Sequence, residues 1–116
     1  GYLYGTATNT ISAGDPILVE TTGKFTHFSN STTTVDEENF IGIATKAAAA
    51  GEQAEVATAG TVVTMPYTST STDLIPGENY YANASSGIIE SGSSAIVVGR
   101  AINTSQLVVN FQIHAT

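Results

Sequence analysis

The chain has no cysteine and no tryptophan, and among its 116 residues only Lys24, Lys46 and Arg100 are basic. Without cysteine there are no disulfide staples and no thiolate metal sites, and the redox compartment stays open. Three scattered cations cannot build the positive stripe that neutralises phosphates, so nucleic-acid binding is excluded. The net charge of −7 equally disfavours an anionic membrane surface. Charged residues reach only 11%, against about 25% in ordinary soluble domains. No apolar run approaches the length of about 20 residues that spans a bilayer. The chain starts at Gly1 with no visible signal peptide, as expected of a processed protein or a fragment.

What is present is a phrase written twice. Gly5-Thr6-Ala7-Thr8-Asn9, Ala13-Gly14-Asp15 and Val19-Glu20-Thr21-Thr22-Gly23 recur as Gly42-Ile43-Ala44-Thr45-Lys46, Ala50-Gly51-Glu52 and Val56-Ala57-Thr58-Ala59-Gly60. Such self-similarity exposes the supersecondary unit that a fold repeats. The unit reads as strand–turn–strand. Expected strands run near Leu3–Thr10, Pro16–Glu20 and Lys24–Phe28, then Phe40–Ala44, Gln53–Thr58 and Thr61–Met65. Ile17, Val19, Phe25 and Phe28 are the apolar anchors of the first copy. Ala47–Ala50 is too short for a stable helix and reads as a loop.

The expected fold is all-β, a small β-barrel or sandwich in one domain over 1–116. Its pseudo-repeats cover about 4–28 and 41–65, a looser hairpin 76–90, and the last strands 96–113. The Ser/Thr/Asn runs Ser29–Thr34 and Thr68–Thr72 read as polar loops. The assigned turn residues are Gly14, Asp15, Gly23, Gly51, Glu52, Gly60, Gly77 and Glu78, because glycine takes positive φ without steric cost. Gly42 and Gly99 sit inside strands and mark bulges, tight corners or close approaches at a subunit contact.

Reactive chemistry is sparse. Asp36-Glu37-Glu38-Asn39 offers oxygens to calcium but lacks the alternating acidic spacing of a loop that encloses the ion. It reads as a solvated charged loop. Asp15 and Glu52 hold equivalent repeat positions, which a turn role explains better than paired acid–base catalysis. His27 and His114 are too few for zinc without cysteine. Ser91-Gly92-Ser93 is not a nucleophile elbow. Three sequons, Asn30, Asn83 and Asn103, are what chance gives in a chain this rich in Ser and Thr. No enzyme activity, metal or cofactor is expected.

Tyr2, Leu3, Tyr4, Tyr80 and Tyr81 are the candidate interface residues, since tyrosine combines apolar area with a polar tip. Gly1–Thr10 reads as an arm for strand addition to a neighbour.

The phrase Phe40-Ile41-Gly42-Ile43-Ala44, Ala49-Ala50-Gly51-Glu52, Val56-Ala57-Thr58-Ala59-Gly60 resembles the capsid decoration, or cement, proteins of tailed bacteriophages. Pro76-Gly77-Glu78-Asn79-Tyr80-Tyr81 and Gly99-Arg100-Ala101 are similar to phrases in β-structured phage tail-fibre modules. The resemblance covers roughly Phe40–Val109, and the repeat joins Gly5–Gly23 to it. It implies a β-barrel-like virion protein, often trimeric, that catalyses nothing. The expected function is therefore a cement protein on the outer surface of a phage head, bound to itself as a homotrimer and to the major capsid protein or another virion protein across capsomers. The alternatives are a tail-fibre, receptor-binding module and the subunit of an extracellular filament.

Overall fold

The computed structural model describes residues 1–27, 40–65, 73–82, 89–91 and 96–113. Phe28, the runs Ser29–Thr34 and Thr68–Thr72, the cluster Asp36–Asn39, Asn30, Asn83, Gly92, Ser93 and His114 lie outside them.

Among the described residues there are ten strands and no helix. They are β1 Tyr2–Thr6, β2 Pro16–Val19, β3 Phe25–His27, β4 Phe40–Ala44, β5 Gln53–Ala57, β6 Val62–Thr64, β7 Asn79–Ala82, β8 Ile89–Ser91, β9 Ile96–Ala101 and β10 Gln106–Ile113. Short runs of β-branched and aromatic residues between glycine turns favour this outcome. The strands form two antiparallel sheets, ordered β1-β5-β4-β2-β3 and β6-β10-β9-β7-β8. Adding five to each strand number of the first order yields the second.

The equivalence extends to single bonds. The Gly14 N–H donates to the Ala44 carbonyl at 2.8 Å and the Gly77 N–H to that of Ala101 at 2.8 Å. Ala44 returns a bond to Asp15 at 2.9 Å, and Ala101 one to Glu78 at 3.0 Å. The Ile11 N–H reaches Ala48 at 2.8 Å, and that of Leu74 reaches Thr104 at 2.9 Å. Register shifts opposite Gly42 and Gly99 also correspond.

The repeated phrase has a different geometry from a pair of hairpins. β1 does not pair with β2; it pairs with β5, while β2 pairs with β4. Gly5 faces Ala54 in one ladder, and its counterpart Gly42 faces Ile17, the counterpart of Ala54, in the other. Ile11 and Ala48, also counterparts, exchange both backbone bonds at 2.8 and 2.9 Å. Each copy is therefore completed by the other, about a local pseudo-two-fold.

One core cluster lies between the sheets. It joins Leu18, Ile43 and Ala57 to Val63, Met65, Leu74, Tyr80, Val98, Ala101, Leu107 and Val109, with Phe40 against it. A second cluster, Ala7, Ile11, Ile17, Phe25, Ala44, Ala48, Ala54 and Val56, fills the opposite face of the first sheet. Burying a Val, Leu or Ile side chain contributes about 1.5–3 kcal/mol each. The first sheet curls until its edges touch at an Ala7–Phe25 bridge, where the Thr8 N–H donates to the Phe25 carbonyl at 2.8 Å. Among the described residues pairing goes no further, so the barrel is not closed and the sandwich describes the fold.

β1 is shorter than Leu3–Thr10 because the chain leaves the β5 ladder after Thr6 and crosses to β3. The 47–50 stretch is non-helical, with Ala48 bridged to Ile11.

Candidate docking face

The assigned turn glycines Gly14, Gly23, Gly51, Gly60 and Gly77 all have φ between 87° and 91°, a region that favours glycine. In the Ser12–Asp15 turn the Asp15 N–H donates to the Ser12 carbonyl at 3.1 Å. The Ser12 N–H answers to Asp15 Oδ2 at 2.9 Å. Ala49–Glu52 repeats both contacts, at 2.9 Å through the backbone and 2.8 Å to Glu52 Oε1. At Ile75–Glu78 the backbone bond persists at 3.0 Å, but the Ile75 N–H donates to the Tyr80 hydroxyl at 2.8 Å. Asp15 and Glu52 thus close turns, and they differ in setting. Asp15 is buried and Glu52 is exposed. Burial holds the Asp15 carboxyl above the usual carboxylate range, against the opposing Ser12 N–H and the nearby His27.

The candidate interface residues divide. Tyr2, Leu3 and Tyr4 are about half exposed, at 51%, 46% and 55%. Tyr81 is half-buried. Tyr80 is not an interface residue: it is 3% exposed and occupies the inter-sheet core. Its ladder position matches that of Ile17, also a core residue. Gly1–Thr10 is not a free arm either, because Tyr2–Thr6 already pairs with β5. Gly42 and Gly99 approach backbone within their own sheets, not at a subunit contact. A Cβ on Gly42 would lie 2.1 Å from the Ala57 carbonyl oxygen, and one on Gly99 2.4 Å from that of Val108.

Around Tyr2 and Tyr4 the structure adds residues that the sequence reading did not single out. Tyr4 stands directly opposite Glu55 and its hydroxyl is hydrogen-bonded to the Glu55 carboxylate, which raises the Tyr4 pKa. Thr45 Oγ1 donates to Glu55 Oε1 at 2.6 Å. Those bonds, Thr45 first and then Tyr4, hold the Glu55 carboxyl below the usual carboxylate range, so it is ionised at neutral pH. Beyond Glu55 a groove of about 270 Å³ opens between this face and β6, bordered by Tyr2, Thr45, Glu55, Val62 and Thr64. Val62 is 44% exposed. The only advance signal was alternation in Gln53-Ala54-Glu55-Val56-Ala57, which sets Glu55 on the face away from Ala54 and Val56.

The face offers an anion, phenol hydroxyls, threonines and apolar area, a set suited to binding another chain. No group of three or more His, Cys, Asp or Glu that could hold a metal occurs among the described residues.

A family model described as phage cement protein matches residues 6–107 of the chain. No curated protein matches it.

Proposed function

The chain belongs to the phage cement protein family, and on that premise we propose that it binds the outer surface of a bacteriophage head across capsomer joints and holds them together without catalysing a reaction. The family match over residues 6–107 carries this reading. The physical features agree with it. A chain with only 11% charged residues is suited to being covered by neighbours. A net charge of −7 is tolerated outside the shell and opposed beside packaged nucleic acid. A rigid sandwich that spans a joint adds interface area which must be broken before capsomers separate.

Self-association as a homotrimer is the second part of the proposal. The exposed β1 strand, Tyr-Leu-Tyr-Gly-Thr, supports it, because it carries no charge to oppose a like copy. Electron microscopy of the intact particle tests both parts. The expected result is trimeric density repeated over the head lattice at capsomer joints. Density confined to the tail tip would instead assign the chain to a receptor-binding fibre and overturn the cement reading.

A further inference from the structure

We propose that the groove between β6 and the Tyr2–Glu55 face receives an extended basic segment of a virion partner chain, which adds a strand to the open edge of β6 and sets a lysine or arginine against Glu55. The proposal rests on the virion reading above and names the contact through which it works.

Backbone geometry supplies the first argument. The groove touches four consecutive residues, Val62, Val63, Thr64 and Met65. Successive side chains of a strand point to opposite faces, so a groove meeting all four meets the strand edge-on. The Thr61 carbonyl and the Met65 N–H are engaged by β10 and the residue just before it, at 2.9 Å to the Val109 N–H and 2.8 Å to the Ser105 carbonyl. Antiparallel ladders alternate their bonding direction residue by residue. The N–H and C=O groups of Val62 and Thr64 therefore point to the open edge. Among the described residues β6 is terminal in its sheet and no strand pairs with its outer groups, and such a row is a template for an added strand.

Size and charge select the occupant. About 270 Å³ is below the roughly 300–1,000 Å³ of small-molecule sites, but it accommodates a few side chains of an extended peptide. Tyr2 and Val62 provide apolar contact, and Glu55 provides a fixed anion. Lys46 attracts Glu55 electrostatically, yet no ion pair engages Glu55 among the described residues. A second copy is a poor occupant. Its terminal strands β1, β3, β6 and β8 carry no Lys or Arg, so an edge strand of a second copy brings no cation to Glu55. The matching chain must bring the cation itself.

The test uses heads of the encoding phage stripped of this protein, with binding of the full chain measured by co-sedimentation at two salt concentrations. Glu55→Gln should weaken binding about tenfold and flatten its salt dependence. Thr64→Pro, which removes an outward N–H at a terminal strand where proline is tolerated, should also weaken it about tenfold or more. If Thr64→Pro lowers the melting temperature, Val62→Arg replaces it, placing a cation where a basic segment would lie. Glu20→Gln, in the β2–β3 turn, should bind as wild type. Wild-type binding by both groove variants would overturn the groove while leaving the virion reading intact. Failure of the wild-type chain to bind heads would overturn both. Groove variants that lose self-association but keep head binding would assign the groove to a second copy and overturn the proposal.

Discussion

At the scale of single residues, glycines divide into those that need positive φ and those that need empty space. Gly51 has φ +89° with nothing within 4 Å of an added Cβ, so Gly51→Ala meets only backbone strain, about 1 kcal/mol. Gly42 has ordinary φ but a carbonyl oxygen 2.1 Å from the added Cβ. Backbone must move, and Gly42→Ala should cost about 3 kcal/mol or more. Urea denaturation of the two variants checks the order. Asp15 supplies a pH-dependent case. Its folded pKa is raised by burial, so the stability it contributes is full below its ordinary unfolded value and is lost as pH rises through the folded pKa. Asp15→Asn keeps an acceptor for the Ser12 N–H and removes the buried charge. Its melting temperature should exceed that of wild type at pH 7, with the gain disappearing as pH falls below about 4. A gain that persists at low pH would contradict the assignment. Turn glycines were legible in the sequence because positive φ is a local demand. The burial of Tyr80 was not, because its place in the core depends on β9, about twenty residues further on.

At the scale of elements, the duplicated phrase specifies strands but not their partners. Gly14 and Gly23 and their counterparts Gly51 and Gly60 mark where strands stop, whereas Gly5 and its counterpart Gly42 lie inside strands. The exchange of β1 to β5 and β2 to β4 is a long-range pairing that spacing cannot encode. The sheet order explains why two quite different repeats coexist: a short one within the first sheet and a longer one relating the sheets. Nothing in the sequence marks Glu55 as a site residue, for a similar reason. It looks like any outward strand residue until β6, from the following turn, forms the far wall of its groove. The open edges yield an element-scale prediction. The Gly1 carbonyl and the Ala7 N–H bond toward β5, at 3.0 Å to the Thr58 N–H and 2.8 Å to the Glu52 carbonyl. By alternation Leu3 and Gly5 face β5, while Tyr2, Tyr4 and Thr6 face outward. Amide hydrogen exchange should therefore be fast at Tyr2, Tyr4, Val62 and Thr64 and slow at Leu3, Gly5, Val63 and Met65. Uniform protection along β1 and β6 in the isolated protein would show that those edges are covered.

At the scale of the whole molecule, the two sheets make one body in which Asp15 and Glu52 are committed to turns and Tyr2, Leu3 and Tyr4 of β1 and Val62 of β6 are exposed. Fold class was legible from strand length and turn chemistry. The family was legible because the phrases that carry the resemblance are those that shape strands. The central claim is mechanical: binding holds capsomers together. The rupture temperature of filled phage heads, stripped of this protein and then measured with and without its re-addition, tests that claim most directly. The account predicts that re-addition raises the rupture temperature and saturates when the head surface is fully occupied. Saturating binding that leaves the rupture temperature unchanged would contradict it.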